Sequence, residues 1–442
     1  MVKISDFQNY LKSKKIDSWE VYLDESKSTS IEINKSDVEY ILSGEKTGFG
    51  VRVAKNKKLG FSYTNDIKKF KECIDTAITI SKLNNKDDDF ESFAKTKKEY
   101  PKVKTYDKDL EHFDVKDFHE YMNEFRNIIE KQDKNIVTGN GVYRKNITNK
   151  NIINSEGIDI KEKSSSNSVF FDGLRLENGN ENINLELGDA DIGILNPNVA
   201  NEFGKRLVSM KNKKDIATKK TSILFHPECF GAIMDEFINN SFSAENIQKN
   251  KSILCEKENK KMFDEKLSIS DDATINGLYD SRVADDEGIP SQKTTLIEKG
   301  IVQNFIYDSY TSNKEKKEST GNASRTYFSK PSICTSNILI EEGRRKNLIS
   351  EIDEGIYLKG LMGIHTMNHS TGDFSLSVYE GHNIKKGEII SPLKDTMISG
   401  NIINILNNII GIGKGKGKYL WGEGSVYTPE ILVSNVQVIG SK

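Results

Sequence analysis

The sequence predicts an α+β protein in two parts: an α+β N-terminal half, and a mainly β, barrel- or sandwich-like C-terminal half with inserted helices. Three observations predict it. Short stretches of alternating apolar and polar residues recur along the whole chain, and several spans before residue 212 repeat apolar residues at helical spacing. Beyond Asn240 strand-like stretches dominate, separated by turns such as Glu298-Lys299-Gly300 and Glu341-Glu342-Gly343.

In order, Ile4 to Leu11 opens a helix with Ile4, Phe7 and Leu11 on one face. Trp19 to Asp24, Ser28 to Ile33, Val38 to Ser43 and Gly48 to Ala54 alternate as strands, and Lys57 to Gly60 turns into Phe61-Ser62-Tyr63. Asp66 to Leu83 is a helix that turns Phe70, Ile74, Ala77, Ile78 and Ser81 inward. The charged stretch 84–108, with Pro101, is the expected linker of this half. Asp114 to Lys131 is a second amphipathic helix, and Ile136 to Asp189 is a meander of short strands. Ala190 to Asn212 repeats Phe203, Leu207 and Met210 at helical spacing.

The main boundary is expected near Asp215, giving an N-terminal domain 1–215 and a C-terminal domain 216–442. Thr221 to Phe225 reads as a strand that leads into a helix from Pro227 to Asn240. Its Phe230, Ile233, Met234, Phe237 and Ile238 recur at i, i+3, i+4, i+7 and i+8, and Pro227 suits the first turn. Asp235 and Glu236 fall off that stripe and Asn240 lies at its edge. Strands are expected at Leu267 to Ile269, Thr294 to Ile297, Ile301 to Ile306, Ser336 to Ile340, Gly355 to Gly360, Ser375 to Tyr379 and Ile431 to Ile439.

Composition narrows the function classes. The 442 residues carry 64 Lys+Arg against 66 Asp+Glu, a net charge of -2, so no basic field points to nucleic acid. The four cysteines, Cys73, Cys229, Cys255 and Cys334, form no CxxC and no dense framework, which suggests a reduced compartment. No run approaches the ~18 apolar residues of a membrane span, and a cytoplasmic protein without a membrane partner is expected.

Candidate chemistry is sparse. His365 and His369 are four apart, and with Asp373 they could hold a metal, but their Gly-, Asn- and Ser-rich surroundings suit a loop better than a ligand-bearing helix. Cys229 adjoins the apolar face of the Pro227–Asn240 helix, as a structural thiol would. Gly411 to Lys418 lacks the spacing of a phosphate loop and reads as a mobile basic loop. Two polar, Gly-containing stretches could line a cleft for an extended peptide: one with Asp286, Glu287 and Gly288, the other with Ser319, Thr320, Gly321 and Asn322. Tight turns in a β domain are the alternative.

In their order along the chain, several segments resemble the TldD/PmbA family, on its PmbA (TldE) branch. They include ESKSTSIEINKSDVEYI, TGFGVRV, LFHPECFGAIMDEF, DDEGIPSQKTTLIEKGIVQNFIYDSYT, ESTGNASR, STGDFSLSVYEG and SVYTPEILVSNVQVIG. The resemblance runs from about Trp19 to Gly440. It implies two domains and a partnership between a TldD subunit, whose HExxxH helix and C-terminal Cys bind zinc, and a TldE subunit. Together these would admit unfolded or leader peptides, in peptide maturation and antitoxin degradation.

On that helix this chain has Asp235 and Asn240 where the family's two His would stand, with Glu236 in the place of the water-activating Glu, and the segment from Gly411 to Tyr427 has no Cys. Zinc favours imidazole or thiolate ligands. The resemblance therefore implies a subunit with no catalytic residues and no cofactor of its own, its zinc residing in a TldD-like partner, and a homodimer when isolated. The alternatives are a metal-dependent peptidase with an unrecognised site, and a non-enzymatic peptide-binding regulator. An HExxxH spacing sets its two His about 140° apart on an ideal helix, so shared ligation needs a distorted helix. A regular helix through Asn240 is expected here.

Overall fold

The computed structural model describes residues 3–34, 37–176, 180–189, 197–420 and 424–441. Six antiparallel strands dominate the first half. After helix α1 (Ile4–Lys12) come β1 (Ser18–Asn34), β2 (Asp37–Lys55) and β3 (Lys58–Thr64), then helices α2 (Phe70–Leu83), α3 (Lys108–His112) and α4 (Val115–Glu130). Strands β4 (Ile136–Asn154), β5 (Asp159–Leu176) and β6 (Asn180–Asp189) and helix α5 (Pro197–Ser209) complete it. The strand order is β3-β2-β1-β4-β5-β6.

These strands are far longer than the expected segments. Trp19–Asp24 and Ser28–Ile33 are one strand of 17 residues, and the meander is three strands of 19, 18 and 10 residues. Polar runs such as Glu25-Ser26-Lys27 break the alternation but not the strand, because β1 is hydrogen-bonded on both sides, to β2 and β4. Part of the expected helix at 190–212 lies outside the described residues; α5 covers the rest.

The two faces of this sheet do different work. Trp19, Val21 and Ile31 point to one side. There α1 and α2 close a core with Phe7, Phe49, Val51 and Ile74, while α4 and α5 close a second with Phe118, Met122, Phe125 and Phe203. Glu20 and Tyr22 point to the other side, and Tyr22 packs with Ile152, Ile160, Ile289 and Tyr327, joining the two halves.

Close packing of α2 on β3 depends on Gly60. A Cβ there would lie 1.9 Å from the Ala77 carbonyl oxygen. Gly60→Ala is expected to cost about 1–3 kcal/mol, through the backbone shift it forces. A thermal melt within error of wild type would refute this account.

The expected linker at 84–108 carries no helix or strand before Lys108, yet it is a packed strap. Phe90, Phe93 and Ala94 are buried, and the Tyr100 hydroxyl donates to the Gly288 carbonyl at 3.0 Å.

The second half begins with β7 (Lys219–Phe225), α6 (Pro227–Ser241) and α7 (Ala244–Gln248). There follow β8 (Ile269–Asp272), β9 (Lys293–Glu298), β10 (Ile301–Val302), α8 (Ser309–Glu315), and the small ladder of β11 (Ala323–Ser324) and β12 (Ser332–Ile333). Next come β13 (Asn337–Ile340), β14 (Glu354–Met362), β15 (Asp373–Lys385), β16 (Glu388–Pro392), β17 (Thr396–Asn401) and α9 (Ile402–Asn407). The last elements are β18 (Ile409–Ile412), β19 (Gly417–Tyr419), β20 (Ser425–Thr428) and β21 (Ile431–Ile439).

Pairings of β14 with β7, β7 with β21, β21 with β17, β17 with β15 and β15 with β14 close a five-stranded barrel. A second sheet runs β10-β9-β8-β13-β20-β19. The basic stretch expected as a mobile loop contributes to both: β18 pairs with β21 and β19 with β20. Its Gly417 lies flat on the Pro227 ring, where a Cβ would approach to 2.6 Å.

Candidate functional site

Helix α6 packs against β14 of the barrel and against β19 and β20 of the second sheet. His226 caps it, Nδ1 accepting from the Glu228 N–H at 3.3 Å, and Pro227 occupies the first turn. The helix is regular from Pro227 through Ser241.

It is not the surface helix with polar residues turned outward that its periodicity suggests. Only Glu228, Glu236 and Asn240 are partly exposed, and Asp235 is buried at 6% exposure. Periodicity locates the apolar stripe, but only the second sheet on the other flank buries what lies off it.

The buried polar groups are bonded within the protein. Asp235 Oδ1 accepts from Asn239 Nδ2 at 2.9 Å and from the Gly424 N–H at 3.3 Å, while Asn239 Oδ1 accepts from the Thr335 N–H at 3.0 Å. Asn240 turns back, Nδ2 donating to Glu236 Oε1 at 3.1 Å and to the Glu236 carbonyl at 2.9 Å. His369 Nε2 stands 3.3 Å from Glu236 Oε1.

Zinc does not fit this donor set. Asp235 is turned onto a backbone amide and a carboxamide, and the Asn240 amide is engaged by Glu236, so neither position supplies an imidazole or thiolate. Among the described residues no group of three or more His, Cys, Asp and Glu is placed to hold a metal ion. Of the alternative trio, His365 is exposed on a turn and Asp373 accepts from Asn401 Nδ2 at 2.9 Å. Only His369 reaches a helix carboxylate.

At the start of α6, Arg206 links Glu380, with Nη2 2.7 Å from Oε2, and Glu228, with Nη2 3.0 Å from Oε2. Burial, reinforced by Arg206, lowers His226 to about 3, so its imidazole is neutral at physiological pH. Burial also pushes the Cys229 thiol far up, consistent with a structural cysteine.

The two candidate cleft stretches adjoin each other: the Asp286 N–H donates to the Ala323 carbonyl at 3.0 Å. Many of their polar atoms make contacts within the chain. Asp286 meets Lys150 at 2.8 Å and Glu287 meets Arg52 at 2.7 Å, both across the seam between the halves. Gly288 sits at φ +81° against Ile158. Ser319 Oγ donates to the Tyr307 carbonyl at 3.1 Å, and Thr320 Oγ1 accepts from the Tyr307 N–H at 2.7 Å. Gly321, at φ +76°, lies against Pro290, and Asn322 Nδ2 donates to Asp271 Oδ2 at 2.7 Å.

Sequence reasoning missed the basic partners Arg52, Lys150, Arg206 and Arg325. No local pattern marks them, because Arg52 and Glu287 are 235 positions apart.

The sequence model of the PmbA/TldA metallopeptidase C-terminal domain matches residues 218–440, and that of the family's domain 1 matches residues 19–81. An uncharacterized protein of Methanocaldococcus jannaschii is 31% identical, over 88% of this chain and 90% of its own length. A metalloprotease of the same organism is 27% identical, over 88% and 87%. A zinc metalloprotease TldD homolog of Saccharolobus solfataricus is 32% identical over 51% of each chain. TldE from Thermococcus kodakarensis superposes with a TM-score of 0.92 at 22% identity, over 99% of both chains. With about half of its length matched by one domain model and a full-length relative at 31% identity, this chain belongs to the PmbA/TldD family.

Proposed function

We propose that this chain is a TldE-type, non-catalytic subunit that pairs with a TldD-like zinc peptidase and shapes the cavity admitting extended peptides. The observation that carries the proposal is the wiring of the helix: Asp235 is turned onto the Gly424 amide and Asn240 onto Glu236. Both positions that would ligate zinc in a TldD-like chain are thus committed to contacts within this one. The fold it shares with TldE from Thermococcus kodakarensis supports the branch. Without a metal, Glu236 has no bound water of lowered pKa to work on.

The test is co-expression with a TldD-like subunit, followed by gel filtration and cleavage assays on unfolded and leader peptides. This chain alone is expected to release no product and to bind no stoichiometric zinc, and the mixed complex to cleave. Absence of any complex together with unchanged partner activity would overturn the proposal, as would stoichiometric zinc and cleavage by this chain alone.

A further inference from the structure

A polar cavity of about 210 Å³ lies on the seam between the halves, and no residue of α6 lines it. The volume falls below the roughly 300–1,000 Å³ of drug-sized sites, so any occupant is small. The first half contributes β5, where Ile160, Glu162, Ser164 and Ser166 alternate onto one face. Ile160 packs in the apolar part of the seam, and from Glu162 onward the same face turns polar and lines the cavity. The second half contributes the loop from Leu278 to Arg282, after β8, with Ser324 and Thr335.

The charges of the lining balance, Lys150 and Arg282 against Glu162 and Asp280, but they are not equally paired. Lys150 meets Glu162 at 3.5 Å and, behind the lining, Asp286 at 2.8 Å. Arg282 and Asp280 have no ion-pair partner within reach among the described residues. Arg282 Nη2 donates to the Gly321 carbonyl at 3.3 Å, and Asp280 accepts from Ser425 Oγ. Asp286, Asp285 and Asp271 act on Arg282 only at longer range, and none of the three lines the cavity.

A second observation is independent of those charges. The buried atoms Arg282 Nε, Glu162 Oε2 and Thr335 Oγ1 have no hydrogen-bond partner among the described residues, although a buried polar atom ordinarily has one. The first can only donate, the carboxylate oxygen can only accept, and the hydroxyl can do either. Such a lining suits a ligand that carries donors and acceptors together.

We propose that this cavity binds a small zwitterion of the α-amino-acid class, its carboxylate at Arg282 and its ammonium at Asp280. A guanidinium can meet a carboxylate through two parallel hydrogen bonds, and an ammonium brings three donors. A net anion would face Glu162 and Asp280, and a net cation would face Lys150 and Arg282. An apolar ligand would leave the three buried atoms unsatisfied. Thr335 also donates its N–H to Asn239 of α6, yet the site is complete within this chain and does not rest on the subunit pairing proposed above.

The test is isothermal titration of the full chain with L-serine, with L-serinamide, which keeps only the ammonium, and with N-acetyl-L-serine, which keeps only the carboxylate. L-Serine is expected to bind at least about tenfold more tightly than either. Asp280→Asn, which keeps an oxygen to accept from Ser425 Oγ, is expected to abolish the preference for the zwitterion over N-acetyl-L-serine. The dipeptide L-seryl-L-serine distinguishes sources: tighter binding of L-serine assigns the site to free amino acids, and tighter binding of the dipeptide assigns it to short peptides. If neither zwitterion outbinds both half-charged analogues by that margin, or if a folded Asp280→Asn variant keeps the preference, the proposal is overturned. The comparison on the wild-type chain stands even if the variant fails to fold.

Discussion

Glu20→Gln is expected to lower the stability of the chain by about 3–5 kcal/mol, the cost of stranding buried charges. Glu20 is completely buried on β1 and receives three charge-assisted contacts: Arg52 Nε at 2.9 Å, Arg52 Nη2 at 2.8 Å and Arg325 Nη1 at 2.6 Å. Burial by itself would push its carboxyl up, but Arg325 and Arg52 outweigh burial and hold it below the ordinary value. Arg325 is 1% exposed at its side chain, and among the described residues its Nε and Nη2 have no hydrogen-bond partner, so a neutral amide at position 20 would leave that guanidinium with little beyond the Tyr22 ring, 4.5 Å away.

The loss would fall on the seam. Glu20 and Arg52 belong to the first half, and Arg325 and Glu287 to the second, so urea unfolding followed by far-UV circular dichroism is expected to show an earlier and broader transition. The exposed pair Lys27–Glu45, at 3.5 Å, is the control: Lys27→Ala is expected to leave the curve unchanged. A Glu20→Gln curve that overlays the wild type would remove this network from any account of how the halves hold together.

The second large effect is one of pH. Asp285 is completely buried and accepts from the Glu287 and Ile289 N–H groups and, through Oδ2, from the Ala323 N–H. Burial, joined by the Glu287 charge and opposed by Arg282, raises it to about 7. Asp308 is raised to about 6, by burial and then by Glu287, with Arg52 opposing. A carboxyl raised on folding contributes stability that is fully present below its unfolded value of 3.8 and is lost as pH rises through the folded value.

His226 and His382 act in the opposite sense. Their folded values are lowered from 6.5, so their contribution grows as pH rises toward 6.5 and is then complete. The wild-type profile is therefore a compromise, and the informative quantity is the difference between variant and wild type. Asp285→Asn loses a backbone acceptor and is less stable at every pH. Measured against wild type, however, its deficit is expected to shrink by on the order of 2–3 kcal/mol between pH 5 and pH 8. A deficit constant across that range would show that Asp285 is ionised throughout.

How much of this was legible depended on range along the chain. Phe230, Ile233, Met234, Phe237 and Ile238 announced α6 because helical spacing is a local property, and all five are buried. The same stripe could not show that Asp235 is buried too and bonded to the Gly424 N–H, which comes from a loop 189 positions away. Strand ends failed for a related reason. Ser26 and Lys27 look like a break, yet both stay in register with β2 and β4, because the partner strands supply the hydrogen bonds whatever the side chains are.

By itself the sequence determined the α+β character, the helix at Pro227 with Asp235 and Asn240 on it, and the family resemblance. These are matters of local periodicity and residue identity. The tertiary structure alone decided that Asp235 bonds inward and that Glu20, Arg52, Glu287 and Arg325 share one buried network. Those outcomes depend on which faces of the barrel and of the long sheet meet. Electrostatic partners that meet there are selected by distance in space, which periodicity along a chain does not encode.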